Sequence, residues 1–225
     1  MKKTLGLVHT SATLVPVFAA LCKEKLPNVE TFNIADDSLI KDVIRRNELT
    51  SQTARRVVQH VASAAEAGAD LILVTCSSIG RAVETAAGLV NVPVLRVDQP
   101  MADEAVRLGT RIGVVATLPT TLEPTADLIA RRAAIIGKRV EVTSRLCEGA
   151  FNALMSGDAA THDAMISAAL QDMAQKVEVI VLAQASMARV VEGLPSEARR
   201  VPILASPRLA IDYVAQRMQG AAGSI

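Results

Sequence analysis

The sequence contains few aromatic residues and no run of basic residues. Only 2% of its 225 residues are aromatic, and tryptophan is absent. We therefore expect an aliphatic core and a ligand site without stacking surfaces, which disfavours flavins and nucleobases as ligands. Lys and Arg number 24 against 23 Asp and Glu. Without a basic patch to neutralise phosphates, nucleic acid is not an expected partner.

Cysteine is also scarce, and long apolar runs are missing. Cys22, Cys76 and Cys147 are odd in number and lack metal-ligand spacing, so we expect free thiols in a reducing compartment. No apolar run reaches the length of a membrane span, and no membrane partner is expected. The basic start resembles a signal peptide, but polar residues at positions 9 to 13 interrupt the apolar stretch. We predict a cytoplasmic protein.

The signatures of the common cofactors are missing as well. The sequence has neither a glycine-rich phosphate loop nor a dinucleotide fingerprint. No lysine stands where pyridoxal phosphate would need one. With 50% hydrophobic and 21% charged residues, the composition is that of a globular chain with one large core or two small ones. We expect no cofactor.

Two stretches of the chain repeat each other. Residues 71–81 read LILVTCSSIGR and residues 179–189 read VIVLAQASMAR, so Ser186 follows Ser78 by 186 − 78 = 108 residues. Cys76 in the first copy corresponds to Gln184 in the second. Residues 5–10 and 112–117 correspond in the same way. A period of this length indicates a duplicated domain rather than a solenoid.

Each copy has the pattern of a parallel sheet. Short β-branched runs alternate with longer amphipathic stretches, which is typical of strands joined by crossover helices. The predicted strands are 3–9, 29–34, 71–75, 93–97, 111–116, 139–144, 178–183 and 202–205, and the clearest helices are 52–68, 121–136 and 208–219. The predicted fold class is α/β, with two similar open parallel-sheet (flavodoxin-like) halves related by pseudo-twofold symmetry and an active-site cleft between them. Residues 1–98 plus 207–225 form the first half, and residues 99–206 form the second.

Cys76 is the strongest candidate for chemistry. It follows an apolar strand and precedes Ser77, Ser78 and a helix, so unpaired amides at the helix start should lower the pKa of its thiol. A structural role as a buried cysteine is the alternative. Cys22 lies in an apolar helix and is predicted to be core, while Cys147 is expected in the core or at the surface.

Other polar residues follow the predicted strands. Hydroxyl groups and the backbone amides near Cys76 and Gln184 form a donor-rich set that suits a carboxylate or an enediolate oxyanion. The hydroxyls belong to Thr10, Ser77, Ser78, Thr117 and Thr120. His9 could tune Cys76 or bind a carboxylate, or be a structural histidine. His60 is expected to be packed or solvated, His162 to lie in a helix cap, and Arg81 and Arg189 to form scaffold ion pairs.

A strand that ends in Thr75-Cys-Ser-Ser78, the duplicated plan and Gly113-Val-Val-Ala-Thr117-Leu-Pro-Thr120 together resemble the aspartate/glutamate/hydantoin racemase superfamily, over essentially the whole chain. The resemblance implies a cofactor-independent isomerase, commonly dimeric, that acts on the α-carbon of a small carboxylate such as an amino acid or its derivative. In that family two cysteines, one from each half, remove and return the α-proton. The first matches Cys76. The family's Thr-x-x-Thr element, which holds the substrate carboxylate, matches Thr117 and Thr120.

The chain departs from the family at the second cysteine, where it has Ala183-Gln184-Ala185. Glutamine has no acid-base pKa near neutrality. Two alternatives therefore stand beside a racemase or isomerase: a one-cysteine decarboxylase or lyase resembling the arylmalonate decarboxylases, which retain the second-half cysteine instead, and a carboxylate-binding protein without catalysis. Cys76 is the predicted catalytic residue. The predicted substrate-binding residues are His9, Thr10, Ser11, Ser77, Ser78, Thr117, Thr120, Gln184 and Ala185.

Overall fold

The computed structural model describes residues 2–194 and 199–220. The chain divides into two compact units, Met1–Asp98 with Pro207–Ile225, and Gln99–Ser206. The strands are β1 Thr4–His9, β2 Glu30–Ala35, β3 Leu71–Val74, β4 Val94–Arg96, β5 Arg111–Ala116, β6 Glu141–Leu146, β7 Val179–Leu182 and β8 Ile203–Ala205. The α-helices are α1 Val15–Lys25, α2 Asp37–Arg46, α3 Ser51–Glu66, α4 Gly80–Ala87, α5 Gln99–Leu108, α6 Pro119–Ile135, α7 Ala150–Met155, α8 Ala159–Met173, α9 Ala188–Glu192 and α10 Ser206–Gly220.

Both units contain a four-stranded sheet with the same connectivity. The strand order is β2-β1-β3-β4 in the first sheet and β6-β5-β7-β8 in the second. Every pair of neighbouring strands is parallel. The predicted α/β fold with two similar open parallel sheets is therefore confirmed, and each of the eight predicted strands is present.

The sheet of the first unit is covered on both faces. Alternate residues of a strand point to opposite faces, and β1 accordingly sends Leu5 and Leu7 to one side and Val8 to the other. On the Leu5 side the sheet packs against α1 and α10. On the Val8 side it packs against α2, α3 and α4. This two-sided burial explains why the central strands read as continuous apolar runs.

The second unit is built in the same way. Val115 of β5 and Leu182 of β7 form a cluster with Ile166 and Leu170 of α8. Helices α5 and α6 contact β7 and β5 respectively. Both units thus leave the carboxyl ends of their central strands at one edge of the sheet, where the candidate residues lie.

Helix α6 begins two residues earlier than the sequence pattern predicted. Pro119 occupies the first turn, where a missing N–H has no consequence. Pro124 therefore lies inside the helix, where it cannot donate to the carbonyl of Thr120 four residues before it.

Across residues 2–194 and 199–220, the structure contains no helix that is both long enough and apolar enough to cross a membrane.

Candidate active site

The predicted residues of the first unit follow two neighbouring strands. Val8 of β1 pairs with Val74 of β3, and the Thr75 amide donates to the Val8 carbonyl at 3.0 Å. Because the strands are parallel, the segments that follow them leave the same edge of the sheet. The structure therefore brings His9, Thr10 and Ser11 to the edge that carries Cys76, Ser77 and Ser78.

Cys76 lies between β3 and a 3-10 turn, Ser77–Ile79, that leads into α4. Its side chain is half-buried. Burial raises the pKa of the Cys76 thiol, and it outweighs the hydrogen bonds from the Thr10 side chain and the amides of Ser78 and Ile79, which lower that pKa. The prediction of a lowered pKa was wrong, although the expected amide donors are present. At neutral pH the resting group is a thiol that can donate a proton.

His9 is fully buried, and both of its ring nitrogens have protein partners. Its Nδ1 lies 2.8 Å from the Thr75 hydroxyl oxygen and its Nε2 lies 2.9 Å from Asn33 Oδ1. Burial lowers the pKa of His9, so the ring is neutral. With Asn33 Oδ1 as acceptor, Nε2 donates, and Nδ1 is left to accept the Thr75 hydroxyl proton, for which the Val8 carbonyl at 3.3 Å is the competing acceptor. His9 therefore braces the residue next to Cys76.

Ser11 immediately precedes a 3-10 turn, Ala12–Leu14, that leads from β1 into α1. It hydrogen bonds the Thr13 hydroxyl at 2.8 Å, and the following amide, that of Ala12, donates to Asp37 Oδ1 at 2.7 Å. Ser77 and Ser78 are each 5% exposed. They lie in the turn that supplies amides to the thiol, so the polar residues of this loop are packed rather than solvated.

The sequence analysis missed a buried ion cluster centred on Arg96. Arg96 is 3% exposed and donates to Asp98 through Nε at 3.0 Å and Nη2 at 2.8 Å. It also donates to Glu84 of α4. Burial opposes the charge, but the two carboxylates outweigh it and raise the pKa of Arg96. The available signal was a charged residue between Leu95 and Val97 in an otherwise apolar strand.

The cluster lies against the helix that follows Cys76. A Cβ atom on Gly80, the first residue of α4, would lie 2.2 Å from Arg96 Cζ. Only a residue without a side chain permits this approach. The negative charge of Asp98 also contributes to the raised pKa of the Cys76 thiol, so the cluster packs against Gly80 and acts on Cys76 electrostatically.

The equivalent edge of the second unit holds Thr117 and Gln184. Val115 of β5 pairs with Leu182 of β7. Just beyond this pair, Gln184 Oε1 accepts hydrogen bonds from the Thr117 amide at 2.6 Å and from the Thr117 hydroxyl at 2.9 Å. The arrangement repeats that of Thr10 and Cys76, with an amide in place of the thiol.

Thr120 and Ala185 lie close to this pair in sequence. Thr120 is in the first turn of α6, and its Oγ1 is buried without a hydrogen-bond partner in the described part of the chain. Ala185 opens a 3-10 turn that ends at Met187. An unpaired buried hydroxyl is unfavourable, so Thr120 has an unused donor beside the Thr117 segment.

The remaining candidates have structural partners. Arg189 forms a bidentate ion pair with Asp163, with nitrogen–oxygen distances of 2.8 and 2.7 Å, as a scaffold residue should. His162 is buried and contacts Asp163 at 2.6 Å, whereas Asp158 caps α8. His162 is therefore a packed residue rather than a cap.

The other two thiols are buried. Cys22 and Cys147 are 4% and 5% exposed. Burial raises the pKa of Cys22 to about 11 and also raises that of Cys147. Both are poor nucleophiles for that reason. Within residues 2–194 and 199–220, no three His, Cys, Asp or Glu side chains cluster as metal ligands.

Comparison with known proteins gives one family and several similar structures. The family described as Asp/Glu/Hydantoin racemase matches residues 5–214. A glutamate racemase isoform from Bacillus anthracis is 17% identical with a TM-score of 0.73, covering 98% of this chain and 84% of its own. An allantoin racemase from Klebsiella pneumoniae is 17% identical with a TM-score of 0.67, and the match covers 98% of this chain and 89% of the allantoin racemase.

An aspartate racemase homologue from Pyrococcus horikoshii is 15% identical with a TM-score of 0.68, and the match covers 97% of this chain and 100% of the homologue. At these identities the three structures share the fold. No curated protein sequence matches the chain significantly.

Proposed function

The chain belongs to the Asp/Glu/hydantoin racemase family, and on that premise we propose that it is a cofactor-independent enzyme acting on the α-carbon of a small carboxylate, with Cys76 as the acid-base group. The observation that carries the proposal is the setting of Cys76. It is the half-buried thiol of the three, and Thr10 and two backbone amides hydrogen bond its sulfur. These donors favour the thiolate that forms when the thiol gives up its proton.

Substrate binding is assigned to the polar groups around the strand ends. The residues are His9, Thr10, Ser11, Ser77 and Ser78 in the first unit and Thr117, Thr120, Gln184 and Ala185 in the second. Hydroxyl and amide donors stabilise the negative charge that moves onto the substrate carboxylate when the α-carbon loses a substituent. His9 acts on this set through Thr75, since both of its ring nitrogens already have partners.

In racemisation or isomerisation, the Cys76 thiol first loses its proton to water. The resulting thiolate takes the α-proton, and the electron pair of the C–H bond moves into an enediolate. A proton then returns to the carbon. Gln184 cannot supply it, because a side-chain amide has no acid-base pKa near neutrality. Inversion therefore requires a proton from a group other than Gln184.

A one-cysteine decarboxylase or lyase is the second candidate, and the raised pKa of Cys76 favours it. In that reaction a second carboxylate leaves as carbon dioxide and its bonding electrons form the enediolate. The Cys76 thiol gives its proton to the α-carbon, and water reprotonates the thiolate. This reaction needs only one acidic group at the α-carbon, and the Cys76 thiol is that group.

Deuterium incorporation in D2O distinguishes these reactions. The substrates are both enantiomers of aspartate and glutamate, allantoin, and aryl- and alkylmalonates. A racemase labels the α-carbon of both enantiomers, and a decarboxylase releases carbon dioxide and labelled monoacid. A binding protein does neither. Cys76→Ala should reduce turnover by about 100-fold or more, with an unchanged circular dichroism spectrum.

The Cys147→Ala variant is the control for that experiment, since it removes a buried thiol from the second unit. It should keep the turnover of the unaltered chain. Full turnover in Cys76→Ala would show that another group moves the proton and would overturn the proposal.

The proposal includes a homodimer in the cytoplasm. All three cysteines are free thiols, which supports a reducing compartment. The dimer rests on the family resemblance, and light scattering after gel filtration measures it directly.

A further inference from the structure

The orientation of the Gln184 side-chain amide is fixed by Thr117. The Thr117 amide lies 2.6 Å from the terminal atom of Gln184 that faces it, and a backbone N–H can only donate. The facing atom must therefore be the carbonyl oxygen Oε1 and not the nitrogen. The Thr117 hydroxyl, at 2.9 Å from the same oxygen, fills its second lone pair.

This pairing uses every donor that Thr117 has. The single backbone N–H and the single hydroxyl proton both point at Gln184. Thr117 is 4% exposed and retains only the lone pairs of its hydroxyl, which accept hydrogen bonds. While the pair is closed, Thr117 contributes to the binding of an anionic ligand only by holding Gln184 in place.

The other end of the Gln184 amide is available. Its Nε2 carries two N–H donors, and among the described residues the hydrogen bonds of the Gln184 side chain are the two that its oxygen accepts from Thr117. Gln184 as a whole is half-buried. A turned amide would set NH2 against the Thr117 backbone N–H, which can only donate, so the donor end stays outward.

We propose that Gln184 is a specificity-determining residue that, in place of Thr117, donates hydrogen bonds through Nε2 to an anionic oxygen of the ligand, a carboxylate or an enediolate. This inference rests on the proposed function and extends it to the chemistry that residue 184 selects. The position accepts an oxygen anion and rejects an ammonium group, which offers only donors.

The first unit provides the contrast that explains the substitution. There Thr10 hydrogen bonds a thiol whose charge changes with its proton. In the second unit Thr117 holds a neutral group that never titrates. The second position is therefore a permanent donor and takes no part in proton transfer.

Side-chain amide resonances of the 15N-labelled full-length chain test the inference. The Gln184 NH2 pair is assigned by its absence from the Gln184→Glu spectrum. Malonate, a small dicarboxylate, is the probe. We expect saturable shifts of the Gln184 NH2 pair and a Thr117 backbone amide that stays bonded to Oε1.

Gln184→Glu keeps an acceptor for Thr117 and removes the donors, so it should weaken malonate binding by about tenfold or more without lowering the melting temperature. Gln175→Glu makes the same charge change at an exposed residue of the second unit and should bind malonate as the unaltered chain does.

Three outcomes overturn the inference: a shift of the Thr117 amide without one of the Gln184 NH2 pair, unchanged malonate binding by Gln184→Glu, and no shift at either group. None of them depends on turnover. A Cys76-dependent deuterium exchange together with any of these would leave the proposed function standing. Gln184 shifts without Cys76-dependent chemistry would contradict the proposed function instead.

Discussion

Cys76 is subject to two opposing effects on its pKa. The amides of the turn and the Thr10 hydroxyl stabilise the thiolate, as expected for a residue before a helix. Removal from water and the charge of Asp98 destabilise it, and these effects are larger. The residue therefore holds its proton at rest, and it can take part in catalysis as a donor first.

Alkylation by iodoacetamide, which needs the thiolate, measures this balance. Because the folded pKa is raised, the thiolate forms at higher pH than in a free cysteine. We expect the alkylation rate of Cys76 to rise with pH to a midpoint above the ordinary value of 9.0, followed by mass spectrometry of the Cys76 peptide. Thr10→Val removes a hydrogen bond that favours the thiolate and should move the midpoint higher. A midpoint near or below pH 8 would contradict the argument.

At the scale of single elements, α4 depends on a close approach between its first residue and Arg96. Gly80→Ala would place a methyl group 2.2 Å from Arg96 Cζ. The guanidinium cannot retreat without leaving the buried carboxylate of Asp98. We expect a loss of about 1–3 kcal/mol in the free energy of unfolding, as for other overpacked sites, measured by urea denaturation.

The other end of the same helix supplies the matched control. At Gly88 an added Cβ would meet nothing closer than the Thr85 carbonyl oxygen at 3.6 Å. Its φ of −80° suits alanine, so Gly88→Ala should be neutral or stabilise the chain by about 0.4–1 kcal/mol. Equal losses in the two variants would mean that the Arg96 contact is unimportant.

The elements were the part of the structure that the sequence could predict. The central strands β1, β3, β5 and β7 are buried on both faces and leave continuous apolar runs. The edge strands β2 and β6 are more exposed, and they are recognised by their short runs between helical stretches. The start of α6 could not be predicted from the sequence, because Pro119 suits both a loop and a first helical turn. The pKa of Cys76 and the pairing of Thr117 with Gln184 depend on burial and on contacts between residues distant in sequence. No local pattern encodes these.

At the scale of the whole molecule, the first unit is completed by a distant segment. Ala210, Ile211 and Val214 of α10 are fully buried in the cluster that also holds Phe18 of α1. Ile211→Ala should therefore lower the free energy of unfolding by about 2–4 kcal/mol, measured by thermal or urea unfolding. Faster amide exchange is expected in α1.

Gln216 lies on the exposed side of the same helix. Gln216→Ala should stay within about 0.5 kcal/mol of the unaltered chain. If Ile211→Ala were equally mild, α10 would contribute little to the core of the first unit.

The long return of α10 also affects the order of folding during synthesis. Residues 99–206 form one uninterrupted unit and can collapse as soon as they leave the ribosome. The first unit cannot, because its first-translated residues pack against its last-translated ones. Lys3, for example, donates to the Met218 carbonyl, which lies 215 positions later in the chain. Until α10 is made, the apolar face of β1 and β3 that it covers is open to water and to chaperones, although that half of the chain was translated first.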